Sequence, residues 1–176
     1  MRWRNIVSTQ RLNFWLLAIS FCAISLFVGR PKAETTTVGT VTRVQQQVEI
    51  AGAPAVVGSA VHMQDELRTG DNARLEVTFS DSTKLTLGEH ARVVVDRYVF
   101  NPDRSIGQLA LTSTQGALRF ATGKIGQMHD KTVTVNTPMA ALAVRGTEFW
   151  MGPIDGHYGA LLLKGKVTVT GRRAKR

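Results

Sequence analysis

From Thr35 onward the chain is written in short segments with apolar residues two apart, cut by Gly, Asn, Asp and Pro, and no window of a dozen residues there carries a stripe of helical period. A side-chain period of two sends one face into a core and the other into water, so this span builds strands rather than helices. Leu75, Val77 and Phe79 alternate with Glu76, Thr78 and Ser80. After a turn at Asp81-Ser82, Leu85 and Leu87 alternate with Lys84 and Thr86, which predicts a β-hairpin. Arg92 to Phe100, the loop Asn101-Pro102-Asp103-Arg104-Ser105 and Ile106 to Thr112 predict a second, longer one. The Ala-rich piece from Met139 to Val144 is too short, and too close to Pro138, to make a helix. The fold class is all-β. Closely spaced strands suit a sandwich, a barrel or a short β-solenoid, and the pattern does not choose among them.

One stretch breaks the alternation. In Thr137 to Met151, TPMAALAVRGTEFWM, two opposite charges three residues apart interrupt an apolar run. An unpaired buried charge costs several kcal/mol, so Arg145 and Glu148 must satisfy each other or reach other partners. Gly146 between them predicts a bulge or a positive φ that re-aims the side chains. Phe149 and Trp150 are adjacent, so in a strand they face opposite sides, one to the core and one free for a partner. The candidate site is therefore Arg145, Gly146, Thr147, Glu148, Phe149 and Trp150. Its expected role is structural, an ion pair or side-chain-to-backbone bonds pinning a bend in the sheet. The functional alternative is an Arg fork offered to a carboxylate or phosphate.

These residues also carry a resemblance. NTPMAALAVRGTEFW resembles the TP-x-A-x-x-A-V-R-G-T-x-F signature of the FecR-like domain, the extracytoplasmic module named after the regulator of ferric citrate uptake. Gly70 to Gly88, GDNARLEVTFSDSTKLTLG, is similar to a second block of that family, and Leu161 to Val169, LLLKGKVTV, to its closing strand-Gly-strand. Ser82 stands where the family usually has Gly. The resemblance implies a solenoid-like stack of short strands. It also implies a sensing module, which in the family belongs to a membrane-spanning regulator that reads an outer-membrane transducer and signals to a sigma factor. The expected fold is thus all-β, a short β-solenoid-like or sandwich-like stack of short strands.

Residues 1–33 hold Arg2, Arg4, Arg11, Arg30 and Lys32 and no acid, with an apolar run from Leu12 to Val28. That is a positive region followed by a hydrophobic one: a secretory signal or, uncleaved, a membrane-anchor helix. About 11 residues precede the run, too few for a folded anti-sigma domain. The expected domains are 1–33 signal or anchor, 34–171 FecR-like domain and 172–176 basic tail. The chain has 22 basic and 13 acidic side chains. Setting aside the five basic residues of the leader and the four of the tail leaves 13 of each, a neutral body. Neutrality argues against nucleic acid as a partner.

Cys22 is the only cysteine, so no disulfide staples the body. His62, His90, His129 and His157 show no metal-ligand spacing, and neither a nucleophile motif nor a paired-carboxylate site is present. No metal, cofactor or catalytic residue is expected. The functional expectation is an exported, periplasmic, non-enzymatic interaction or sensing module. Its partner would be an envelope protein or a cell-wall component, met at sheet edges or at Arg145 to Trp150. The alternatives are an inner-membrane signalling subunit anchored by Leu12 to Val28, and a polysaccharide-active envelope enzyme.

Overall fold

The computed structural model describes residues 36–171. The expected signal or anchor helix within 1–33, Leu12 to Val28 included, and the tail 172–176 lie outside the described residues. The chain forms β1 (Thr37–Gln45), β2 (Val48–Ile50), β3 (Ala53–Pro54), β4 (Ala60–His62), β5 (Glu66–Thr69), β6 (Arg74–Phe79), β7 (Lys84–Leu87), β8 (Arg92–Asn101), β9 (Ile106–Gln115) and β10 (Leu118–Ala121). A short 3-10 helix, Lys124–Gln127, leads to β11 (Asp130–Asn136), β12 (Ala140–Ile154) and β13 (His157–Gly171). The two expected hairpins are β6–β7 and β8–β9. Leu75, Val77, Phe79, Leu85 and Leu87 are buried, so the alternation marks the core face there.

The strands form one sheet in the order β3-β2-β5-β8-β9-β11-β12-β10-β7-β6-β1-β4, with β13 added to β12. A strand has two edges, and β13 occupies one edge of β12 over nearly all its length. β11 and β10 therefore share the other, at residues 141–143 and 148–151 respectively. β12 thus joins two half-sheets. At the far side β1, next to last in the order, runs into β2, second in the order, through Gln46 and Gln47, with Gln46 at φ 58. The sheet curls into a half-barrel. Its halves face each other: Phe79 of β6 stacks on Tyr98 of β8 with ring centroids 5.4 Å apart, although these strands are distant in the order.

The all-β class holds, but a regular solenoid does not form. Solenoid rungs pair in parallel throughout, whereas among the described strands only β9 and β11 do so, from Ile106↔Asp130 to Thr112↔Asn136. The sandwich-like alternative comes nearer, in that two layers face across one core. They remain one sheet because β12 passes from one layer to the other.

A buried carboxylate fastens the layers. Asp81, on the turn after β6, is fully buried. Its carboxylate accepts from Thr83 N at 3.2 Å, Thr83 Oγ1 at 2.6 Å, the Tyr98 hydroxyl at 3.1 Å and Ile125 N at 3.1 Å. These donors come from the β6–β7 turn, from β8 in the opposite layer and from the 3-10 helix. Without them the charge would be stranded in the interior at a cost of several kcal/mol. Ser82, next in sequence, sits at φ 68, the left-handed region that explains a preference for Gly at that position.

Candidate functional site

Along β12, Leu142 and Val144 are buried before the Arg-Gly-Thr step, and Thr147, Phe149 and Met151 after it. The inward parity changes from even to odd numbers, which one extra residue produces. The β12–β13 register shifts between Arg145 and Glu148, and Gly146 has φ 57. Across from it Gly165 has φ 89, and a Cβ there would run into the Gly146 carbonyl. Glycines on both strands let the backbones close on each other where β12 crosses between layers.

Thr147 supplies the hydrogen bonds that the bulge removes from the ladder. Its buried hydroxyl lies 2.9 Å from the Arg145 carbonyl and 2.8 Å from that of Lys166, and it accepts from Arg145 N at 3.2 Å and Lys166 N at 3.3 Å. Thr122, just past β10, donates to the Thr147 carbonyl from both N and Oγ1 at 3.0 Å, and its Oγ1 accepts from Thr147 N.

The two charges do not meet. Glu148 is held by Arg119 of β10, whose Nε donates at 2.9 Å to Oε1 and whose terminal nitrogen binds the same oxygen. Arg145 is exposed, and its guanidinium has no hydrogen-bond or ion-pair partner among the described residues. The expected Arg145–Glu148 pair is thereby corrected: Arg145 already points outward in the even-inward register before the bulge and faces water, and the parity change that seats Thr147 inward turns Glu148 outward, beside Arg119 of β10. Phe149 is buried and packs on Phe120 at 5.5 Å, while Trp150 is half-buried on the outer face.

Beyond the corner lies an open edge. β13, 15 residues long, pairs with β12 alone among the described strands. Leu162, opposite Phe149, lies on the core-side face yet is 49% exposed, because the core does not extend beneath it. Leu161, opposite Trp150 on the outer face, is 55% exposed, and Leu163 and Val169 are 50% and 60% exposed. Lys166 stands directly across from Arg145, a like-charge pair that weakens a sheet unless an anion joins it. No acidic residue follows Asp155 in the sequence.

The FecR protein family model matches residues 65–168. The chain belongs to the FecR family. The matched span covers the FecR half-barrel from β5 into β13, while β1 to β4 precede it and complete the core with Val38, Val41 and Val61. No curated protein matches. Two crystal structures of a protein from Parabacteroides distasonis described as an anti-sigma factor are similar, each at 20% identity and a TM-score of 0.46. Each match covers 62% of this chain and 48% of that one, so the FecR chain spans about half the length of those proteins, a likeness too distant to carry an argument.

The Arg145-Gly146-Thr147 step and Phe149 thus lie on the corner of β12 in this FecR domain, and Asp81-Ser82-Thr83, within the 70–88 block, forms the buried turn after β6. The weight carried by Asp81 and by the Thr147 hydroxyl went unread in the sequence. The signal was the polar residue at an otherwise inward position. Among the described residues no group of three or more His, Cys, Asp or Glu gathers as metal ligands, and no helix is long and apolar enough to cross a membrane.

Proposed function

We propose that this FecR domain is a non-enzymatic recognition module of the cell envelope that binds a partner protein by strand addition along β13. The observation that carries this is the β13 edge, unpaired among the described residues, with Leu161 and Leu162 half exposed on opposite faces. A long, apolar, uncovered edge is a template for another strand, and soluble proteins otherwise blunt such edges. The basic cluster Arg145, Lys164 and Lys166 sets the partner's chemistry, an extended segment alternating aliphatic and acidic residues. Family membership supports a sensing role, and the engagement of Glu148 by Arg119 supports a structural rather than an acid-base role for that carboxylate.

A photo-crosslinking residue at Leu161 in intact cells captures one partner, and the same residue at Asp103 does not. The double variant Lys164→Glu/Lys166→Glu lowers capture by about tenfold or more with the melting temperature unchanged. Equal capture from both positions, or capture indifferent to charge reversal, refutes the edge.

Leu12 to Val28 delivers the domain to the periplasm, as a cleaved signal or as a retained inner-membrane anchor of a signalling subunit. N-terminal sequencing of the exported protein separates the two: a start near Glu34 means cleavage, and an intact Met1 in the membrane fraction means an anchor.

A further inference from the structure

A second surface lies away from β13, on the outer face of the half-sheet formed by β1, β6, β7, β10 and β12. The register sets Arg43 beside Glu76, Glu76 beside Thr86, Thr86 beside Arg119, and Arg119 beside Trp150, one row of side chains crossing five strands. Four strand spacings make that row about 19 Å long. Beside it runs an open groove of about 670 Å³, lined among others by Arg43, Arg74, Glu76, Glu89, Arg119 and Trp150. This is room for an oligomer rather than a single ion.

The charges in the groove divide into engaged and free. Arg119 is held by Glu148. Glu76 accepts from Thr42 Oγ1 at 3.1 Å, and Glu89 from Asn72 N at 3.2 Å. The guanidiniums of Arg43 and Arg74 are exposed and have no hydrogen-bond or ion-pair partner among the described residues. At one end the Trp150 indole lies across Gly152, where a Cβ would come within 2.7 Å of the ring. The small residue lets the ring lie along the sheet instead of standing off it.

We propose that this groove binds an anionic oligosaccharide, with its carboxylates on Arg43 and Arg74 and one sugar ring on Trp150. Guanidinium forks match carboxylates, a flat indole accepts the apolar face of a ring, and Glu76, Glu89 and Thr86 offer partners to hydroxyl groups. A peptide strand does not suit the site, because a sheet face presents no free backbone edge. Nucleic acid does not suit it either, because Trp150 is the one aromatic among the groove's lining residues, and successive bases need a series of stacking platforms.

The test uses the full chain. Of its three tryptophans, Trp3→Phe and Trp15→Phe leave Trp150 as the sole fluorophore. Titration with tetragalacturonate gives a saturable change in Trp150 emission, and the fully methyl-esterified tetramer binds about tenfold more weakly or worse. By calorimetry, Arg43→Ala/Arg74→Ala loses about tenfold or more in affinity for the acid, while Arg104→Ala on the β8–β9 loop loses none. Lys164→Glu/Lys166→Glu leaves this binding intact, so failure at the β13 edge and failure here are separable. An unchanged emission, equal affinity for acid and ester, or tighter binding of an oligothymidylate overturns the proposal.

Discussion

Tyr98 shows at the scale of one side chain how the layers are held. Its hydroxyl donates to the Asp81 carboxylate and accepts from the Asp81 amide at 2.8 Å. Burial first, and the negative charge of Asp81 second, hold its proton well above the ordinary tyrosine value of 10.0. In the unfolded chain that tyrosine ionises near its ordinary value. The folded state is therefore fully favoured below about pH 10 and loses ground as pH climbs from there toward the raised folded value, by about 1.4 kcal/mol per pH unit for one group. Burial raises Tyr158 as well, and it acts in the same direction. Urea unfolding between about pH 8 and 11 should show Tyr98→Phe less stable at the lower end, by about 1 kcal/mol, with a shallower fall above pH 10. Parallel curves for the two proteins would mean that Asp81 and Tyr98 are not coupled in this way.

The corner of β12 is an element-scale device, and its stability resides in a neutral hydroxyl rather than in the charges beside it. Thr147→Val keeps the side-chain shape but leaves the bulge amides and carbonyls of Arg145 and Lys166 without their common partner. A loss of about 1–3 kcal/mol is expected in chemical denaturation. Arg145→Ala, on an exposed and unpaired side chain, should stay within about 0.5 kcal/mol. A reversed order of the two would place the corner's stability in the guanidinium.

How far these elements were legible in the sequence follows from their physics. β6, β7 and the β8–β9 hairpin were readable because their alternation is local, and Gly146 because only a backbone irregularity puts a glycine between two charges in a strand. The faces of β8 were less so: a register shift between Val95 and Arg97 moves the inward set from Val93 and Val95 to Tyr98 and leaves Val99 exposed. Arg119, 29 residues from Glu148, was not readable as its partner, because cross-strand neighbours depend on which edges pair. The same gap separates a half-barrel from a solenoid, since period two is common to both.

On the scale of the whole molecule, the half-barrel closes at two corners, Gln46-Gln47 between β1 and β2 and Arg145 to Glu148 within β12, and leaves β13 outside the closure. The recognition role rests on that strand being held on one side only. Amide hydrogen exchange of the full chain, read residue by residue along His157–Gly171, tests this directly. The expected result is alternation, with slow amides facing β12 and fast ones at the outer edge. Uniform protection along both edges of the isolated protein, or uniformly fast exchange through the strand, would contradict it.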